Sequence, residues 1–349
     1  MFRFSLYFLV TLFTVTTCFV FSATADPRYP SISPRLRGMV ANSYLNPEDL
    51  SVLASWKANS ISVLLVIFPA AGSANREEYF AQLDLAMTRL DALLLKAAAL
   101  NMRVLVNIYD PPGGFVRDEG KVFLRLFKEA WAQQALIDAW DIIAARYKDN
   151  QTIWGFQLLN EPAFRGAAPG LKTWNQLAQT LAENIRRVSS KHSIVVNPPF
   201  GDPAKLKTVR PIKGVSNVVY SVNMYHPFTF SHQGLIDGYR PRSYPSTDFR
   251  KTLMKRYFNQ VRTFQKRVKT PIHIHEFSAA RWAPNGSTAR WLKDALTFFE
   301  KYKWSWNYHA FKEAGVWNVE LTNQLGEEVQ ATSPTDRLKV LQSFYKKKT

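Results

Sequence analysis

Eight short runs of apolar, β-branched and aromatic residues recur along this 349-residue chain, each separated from the next by a longer segment. That alternation constrains the fold more than any other feature. The runs are LRGMVAN (36–42), SISVLLVIF (60–68), MRVLVNIY (102–109), IWGFQLLN (153–160), SIVVNPP (193–199), NVVYSVNMY (217–225), PIHIHEF (271–277) and KWSWNYHAF (303–311). Between them, apolar residues recur at three- and four-residue steps: Phe80, Leu83, Met87, Leu90 and Leu94 in one segment, Leu171, Trp174, Leu177, Leu181, Ile185 and Val188 in another. Such spacing predicts helices with one buried face. Near-continuous apolar strands alternating with amphipathic helices predict a parallel sheet covered by helices.

Eight repeats within about 320 residues suit a closed (β/α)8 barrel of the TIM type, built as a single α/β domain. The alternative is an open doubly wound sheet, but no G-x-G-x-x-G follows the first run and no Walker loop occurs. No composition shift, long linker or internal repeat marks a second domain. The longest irregular stretch, 226–248, follows the sixth run, where a barrel would place it over the mouth.

The first residues set Arg3 ahead of an apolar and hydroxyl stretch, then Ala23-Thr24-Ala25 ahead of Asp26. This pattern predicts a secretory signal over 1–25 and a mature domain over 26–349. A membrane anchor is the alternative, since the apolar run approaches the roughly 18–20 residues that cross a bilayer. With the signal removed, no stable membrane span is expected and the product is exported, to the periplasm or beyond. The single cysteine, Cys18, lies in that segment, so the mature chain has no thiol. Lys and Arg number 45 against 27 Asp and Glu, a formal charge of +18, of which the signal carries only Arg3. The excess favours an anionic partner. The basic residues are dispersed, however, with no Lys/Arg run interleaved with aromatics, so no specific nucleic-acid binding is expected; a solvated surface or an acidic glycan fits better.

In a barrel, reactive side chains come from the C-terminal ends of the strands. Glu161, in Asn160-Glu161-Pro162, ends the fourth run, and Glu276 ends the seventh. Strict alternation along PIHIHEF puts Ile272, Ile274 and Glu276 on one side, filling the barrel, and sends His273 and His275 to the helix layer. H-x-H can present two imidazoles to a metal, but no third ligand cluster is visible, so neither metal nor organic cofactor is expected. Two carboxylates on opposite strands supply what glycosidic cleavage needs, one protonated to assist the leaving oxygen and one ionised to attack. The plain alternative makes Glu161 part of a helix start, with Pro162 in the first turn.

FQLLNEP resembles the signature of glycoside hydrolase family 5, the cellulase-type β-glycanases. The resemblance implies that Glu161 is the acid/base, that Asn160 holds a sugar hydroxyl, that Glu276 in IHIHEFSA is the nucleophile and that Tyr225 stands beside it. RWAPNGS (281–287) and WNYHAFKEAGVWNVE (306–320) also look like parts of that family, so the likeness spans 36–320. Several positions depart from it. Ser62 stands where the second strand usually has Arg, Tyr109 where the third usually ends in His, and Asn223 where His usually precedes the tyrosine by two. The usual eighth-strand Trp is either Trp306 or replaced by His309. Trp282, Trp306 and Trp317 are candidates for stacking on sugar faces, with Phe115 a weaker one; His226 and His232 are candidates for substrate contact. The expected activity is that of a retaining β-glycoside hydrolase, endo-acting on a β-linked glucan or related polysaccharide. A glycan-binding barrel that has lost efficient turnover is the alternative.

Overall fold

The computed structural model describes Ile32 and residues 34–67, 75–118, 121–235 and 240–347. The expected signal over 1–25 lies outside the described residues. In chain order the elements are β1 (Arg37–Asn42), α1 (Leu50–Ser55), β2 (Ser60–Leu65), α2 (Arg76–Ala99), β3 (Arg103–Ile108), β4 (Phe115–Asp118), β5 (Lys121–Leu124), α3 (Ala130–Tyr147), β6 (Ile153–Gln157), α4 (Trp174–Val188), β7 (Ser193–Val196), β8 (Val218–Met224), α5 (Phe228–Ser231), α6 (Lys251–Val268), β9 (Ile272–Phe277), α7 (Ser287–Lys301), β10 (Ser305–His309) and α8 (Asp336–Tyr345).

Each of the eight runs contains one barrel strand. They close in the order β1-β2-β3-β6-β7-β8-β9-β10 and back to β1, every pair parallel. β4 and β5 form a separate antiparallel hairpin. Two of the long helices begin where the sequence supplies caps. Asn75 accepts the backbone N–H of Glu78 at the start of α2, and Thr173 with Gln176 forms a capping box at α4. Their buried stripes include Leu83, Met87, Leu90 and Leu94 on α2, and Trp174, Leu177, Leu181 and Ile185 on α4.

Met39, Ile61, Val63, Val104, Val106, Ile272 and Ile274 lie in the main core, between barrel and helices. The inner face of the barrel is more polar. Leu105, Val195 and Val219 form a small apolar cluster with Ile32 and Trp154 against it, and Ser60, Ser62, Asn107, Gln157, Ser221, His273, His275 and Asn307 are all fully buried. At Gly38 on β1 an added Cβ would fall 1.8 Å from the backbone oxygen of Ser60, so no larger residue fits the seam between β1 and β2.

The alternation expected along β9 does not hold. Val222 of β8 is in register with Ile274, but Asn223 is in register with Glu276, so β9 carries one extra residue, His275. Such a bulge breaks the two-residue period. Ile272 and Ile274 therefore pack outward. His275 points inward, where it reaches Ser62 on β2 and Asn107 on β3 across the barrel. His273 also lies inward, 5.3 Å from the ring of Trp154. Beyond the bulge Glu276 emerges on the cavity side.

Candidate functional site

At the C-terminal ends of the strands a cavity of about 720 Å³ is lined by residues that include Asn42, Tyr109, Asn160, Glu161, Tyr225, Glu276, His309, Glu313 and Trp317. Both expected carboxylates face it, together with Asn160, Tyr109, Tyr225 and His309. Asn160 follows β6, its backbone N–H bonded to the carbonyl of Ile108 on β3 and its Oδ1 accepting from Asn107 Nδ2 at 3.3 Å. Glu161 has φ +42°, a left-handed conformation that costs energy in a residue with a side chain. Asn197 Oδ1 holds it there by accepting the Glu161 backbone N–H at 3.1 Å. Asn223, near the C-terminal end of β8, donates Nδ2–H to Glu161 Oε1 at 2.6 Å. Gly201 makes room for that amide, since a Cβ there would sit 2.9 Å from Asn223.

The second carboxylate is held from other elements. Tyr225 donates its hydroxyl hydrogen to Glu276 Oε2 at 2.9 Å. That hydroxyl has one hydrogen, so its 2.9 Å contact with His309 Nδ1 requires the imidazole to donate. His309 Nε2 lies 3.5 Å from Glu313 Oε1, and Glu313 Oε2 accepts from the backbone N–H and the side-chain amide of Asn42. A chain of polar contacts therefore runs from Glu276 through Tyr225 and His309 to Glu313.

The two carboxyls differ in ionisation. Burial, and then the charge of Glu276, push the Glu161 carboxyl well above the usual carboxylate range. Burial also opposes the charge on Glu276, but His275, His309 and Tyr225 outweigh it and hold that carboxyl below its usual range. Burial lowers His309, yet Glu313 and the two other carboxylates leave it more basic than an ordinary imidazole. Tyr225 is raised by burial and by Glu276 and Glu161, and so keeps its hydrogen. Tyr109, 43% exposed on the rim, is pushed up to about 12 by burial and the surrounding carboxylates. The surroundings of one cavity thus favour the proton on Glu161 and the charge on Glu276.

Other expectations find different places. Trp306 is fully buried outside the barrel, stacked on Tyr345 with its N–H on Glu300, and does not reach the cavity; the residue facing the cavity from β10 is His309. An indole at 306 points outward because it is one residue out of phase with His309 and Asn307. Trp282 is tied to the carbonyl of Gln233 and packs beside Arg281 and the 233–234 turn, away from the cavity. Phe115 is exposed and lies outside the lining. His226 stacks on Tyr257 and contacts Asp202. His232 and Trp317 do reach the wall, His232 lowered to about 4 by burial and by His309. Glu313, Phe200 and Phe228 also line the cavity. Sequence reading missed all three, because they sit on loops or on single short turns without a periodic signal.

Among the described residues, no group of three or more His, Cys, Asp or Glu side chains is arranged to hold a metal ion. No helix among them is long and apolar enough to cross a membrane.

The model of the cellulase family, glycosyl hydrolase family 5, matches residues 29–315. Endoglucanase C of Acetivibrio thermocellus is 22% identical over 255 residues, covering 64% of this chain and 72% of that protein. Endoglucanase 3 of Fibrobacter succinogenes is 26% identical over 152 residues, 42% of this chain and 21% of the other. Among solved structures, Thermotoga maritima Cel5A in complex with mannotriose superposes with a TM-score of 0.69 at 22% identity, covering 88% of this chain and 97% of that one. The cellulose synthase subunit Z of Clostridioides difficile gives 0.67 at 20% identity, over 88% and 99%. The chain belongs to glycosyl hydrolase family 5, the cellulase family, and is a β-glycoside hydrolase that cleaves O-glycosyl bonds.

Proposed function

We propose that the protein is an exported, retaining enzyme, endo-acting on a β-linked glucan or related polysaccharide, with Glu161 as acid/base and Glu276 as nucleophile. The observation that carries this reading is that both carboxyls face one cavity at the strand ends, Glu161 held by Asn223 and Glu276 by Tyr225, with their surroundings displacing them in opposite directions. In the first step Glu276 attacks the anomeric carbon while the raised Glu161 gives its proton to the departing glycosidic oxygen, leaving a glycosyl ester on Glu276. Glu161, now ionised, takes a proton from water as that water displaces Glu276, and configuration is retained.

Asn160, Asn223, Tyr109, Tyr225, His309 and Trp317 are assigned to the sugar-binding wall or its support. Relatives crystallised with cellobiose and mannotriose favour β-linked hexose polymers as the substrate class. In this reading residues 1–25 are a cleaved signal and 26–349 the catalytic domain. The basic balance leaves acidic polysaccharides in the panel to be tested.

The test is product release from neutral and acidic β-glucans, mannans and exopolysaccharides, with the anomeric form of the first product read by proton NMR. Loss of at least about a hundredfold in both Glu161→Gln and Glu276→Gln, with a β product, supports the assignment. An α first product, or full activity in either variant, sinks it. Saturable binding without cleavage would favour the glycan-binding alternative.

A further inference from the structure

The bulge in β9 puts two consecutive side chains, His275 and Glu276, on the inner side of the barrel, where strict alternation would have separated them. His275 is fully buried. Its Nε2 lies 2.8 Å from Ser62 Oγ and 3.4 Å from Asn107 Nδ2, and the amide nitrogen can only donate. An ionised carboxylate can only accept, so the neighbour of Nδ1, Glu276 Oε1, selects the form with the ring hydrogen on Nδ1, and Nε2 then accepts from the Ser62 hydroxyl. Nδ1 is 3.3 Å from Glu276 Oε1. The same oxygen is buried and, among the described residues, has no hydrogen bond of standard geometry. Contacts of this kind are commonly long in the unliganded site. Gln157, whose amide also lies 3.4 Å from Nδ1, has an unpartnered Oε1 that can face the ring hydrogen when the amide is turned over.

We propose that His275 is a positioning residue for Glu276: in its Nδ1–H form, with Nε2 against Ser62, it supports Oε1 of the carboxylate while Tyr225 holds Oε2. The inference rests on the reading of Glu276 as nucleophile. Both oxygens are then supported, Oε1 by His275 and Oε2 by Tyr225. Ser62, at the position where the family resemblance led to an expected arginine, acts here as the hydroxyl that donates to the histidine Nε2. The other ionisable groups around Glu276 are Tyr225 after β8, Glu161 after β6, Tyr109 after β3, and His309 and Glu313 at and beyond the end of β10. None of these makes a hydrogen bond to Oε1 among the described residues.

The experiment uses the full chain and the activated substrates 2,4-dinitrophenyl β-cellobioside and β-mannobioside, choosing whichever it turns over; a good leaving group reduces the demand on Glu161. His275→Gln keeps an amide near Ser62 but withdraws the donor from Glu276, whereas His275→Asn places an amide nitrogen near the position of Nδ1. We expect His275→Gln to lower kcat on the order of tenfold with KM within about twofold. We expect the acid limb of kcat/KM in that variant to move up by about one pH unit. His275→Asn should restore part of both, and Ser62→Ala should move the limb by less in the same direction. An unmoved acid limb in all three variants, with activity lost only in step with Tm, overturns the proposal while leaving the two-carboxylate mechanism intact. Full turnover by Glu276→Gln would remove the nucleophile assignment and this inference together.

Discussion

Asn223 offers the sharpest test of how the acid is tuned. Its Nδ2 donates to Glu161 Oε1 at 2.6 Å and is the leading influence that favours the ionised carboxylate, against burial and the charge of Glu276. Asn223→Leu keeps the branching at Cγ, which matters because Gly201 leaves little space around this side chain. A hydrogen bond to a charged group contributes about 1.5–3 kcal/mol and one to a neutral group about 1. The differential effect on Glu161 is thus about 0.5–2 kcal/mol, which at 1.36 kcal/mol per pH unit centres on roughly one unit. The sign follows from the donor: without it, Glu161 holds its proton to higher pH. The assay is the pH dependence of kcat/KM on an unactivated β-linked oligosaccharide, for which the first step needs a protonated Glu161. The alkaline limb should move up by about one unit in Asn223→Leu, and the acid limb, set by Glu276, should stay. An alkaline limb that stays in place or moves down would refute this account of the pair.

Removing the charge on the partner should act in the opposite direction: in Glu276→Gln, the Glu161 carboxyl followed by carbon-13 NMR should titrate lower than in the unmutated protein, because a raising influence is gone. The raised Glu161 value also links to stability, since the folded state binds a proton that the unfolded state has released; stability should therefore fall as pH rises from the ordinary carboxylate range through the folded value, and Glu161→Gln should flatten that slope in Tm measurements. Arg37 is buried against Glu300, with contacts of 2.8 and 2.9 Å, so Arg37→Leu should cost about 3 kcal/mol in urea unfolding. Trp306→Phe should lower stability and leave KM nearly unchanged, whereas Trp317→Ala should raise KM for oligosaccharides, since only Trp317 lines the cavity.

The barrel was legible because its signal is carried by many residues at once. Eight apolar runs, two of the segments between them with clear helical periodicity, repeat the same local statement, and Asn75, Thr173 and Gln176 place helix starts by short-range hydrogen bonds that need no tertiary context. Glu161 and Glu276 were visible for a related reason: each is a carboxylate at the end of an apolar strand, where a barrel opens to solvent. Residues of the connections between strands and long helices, such as Glu313, Phe200 and Phe228, carry no comparable pattern, since nothing local decides which part of a connection returns to the mouth.

Phase within a strand was decided only in three dimensions. Trp306 and His309 stood as equal candidates in KWSWNYHAF until closure against β1 and β9 fixed which faces inward. The side taken by His273, His275, Ile272 and Ile274 was inverted by the extra residue in β9, a register choice made between β8 and β9 rather than within either. Local sequence determines the period of a strand and its apolar content, but a bulge is a property of two strands paired. Which side chains reach the cavity therefore depended on contacts between residues far apart in the chain.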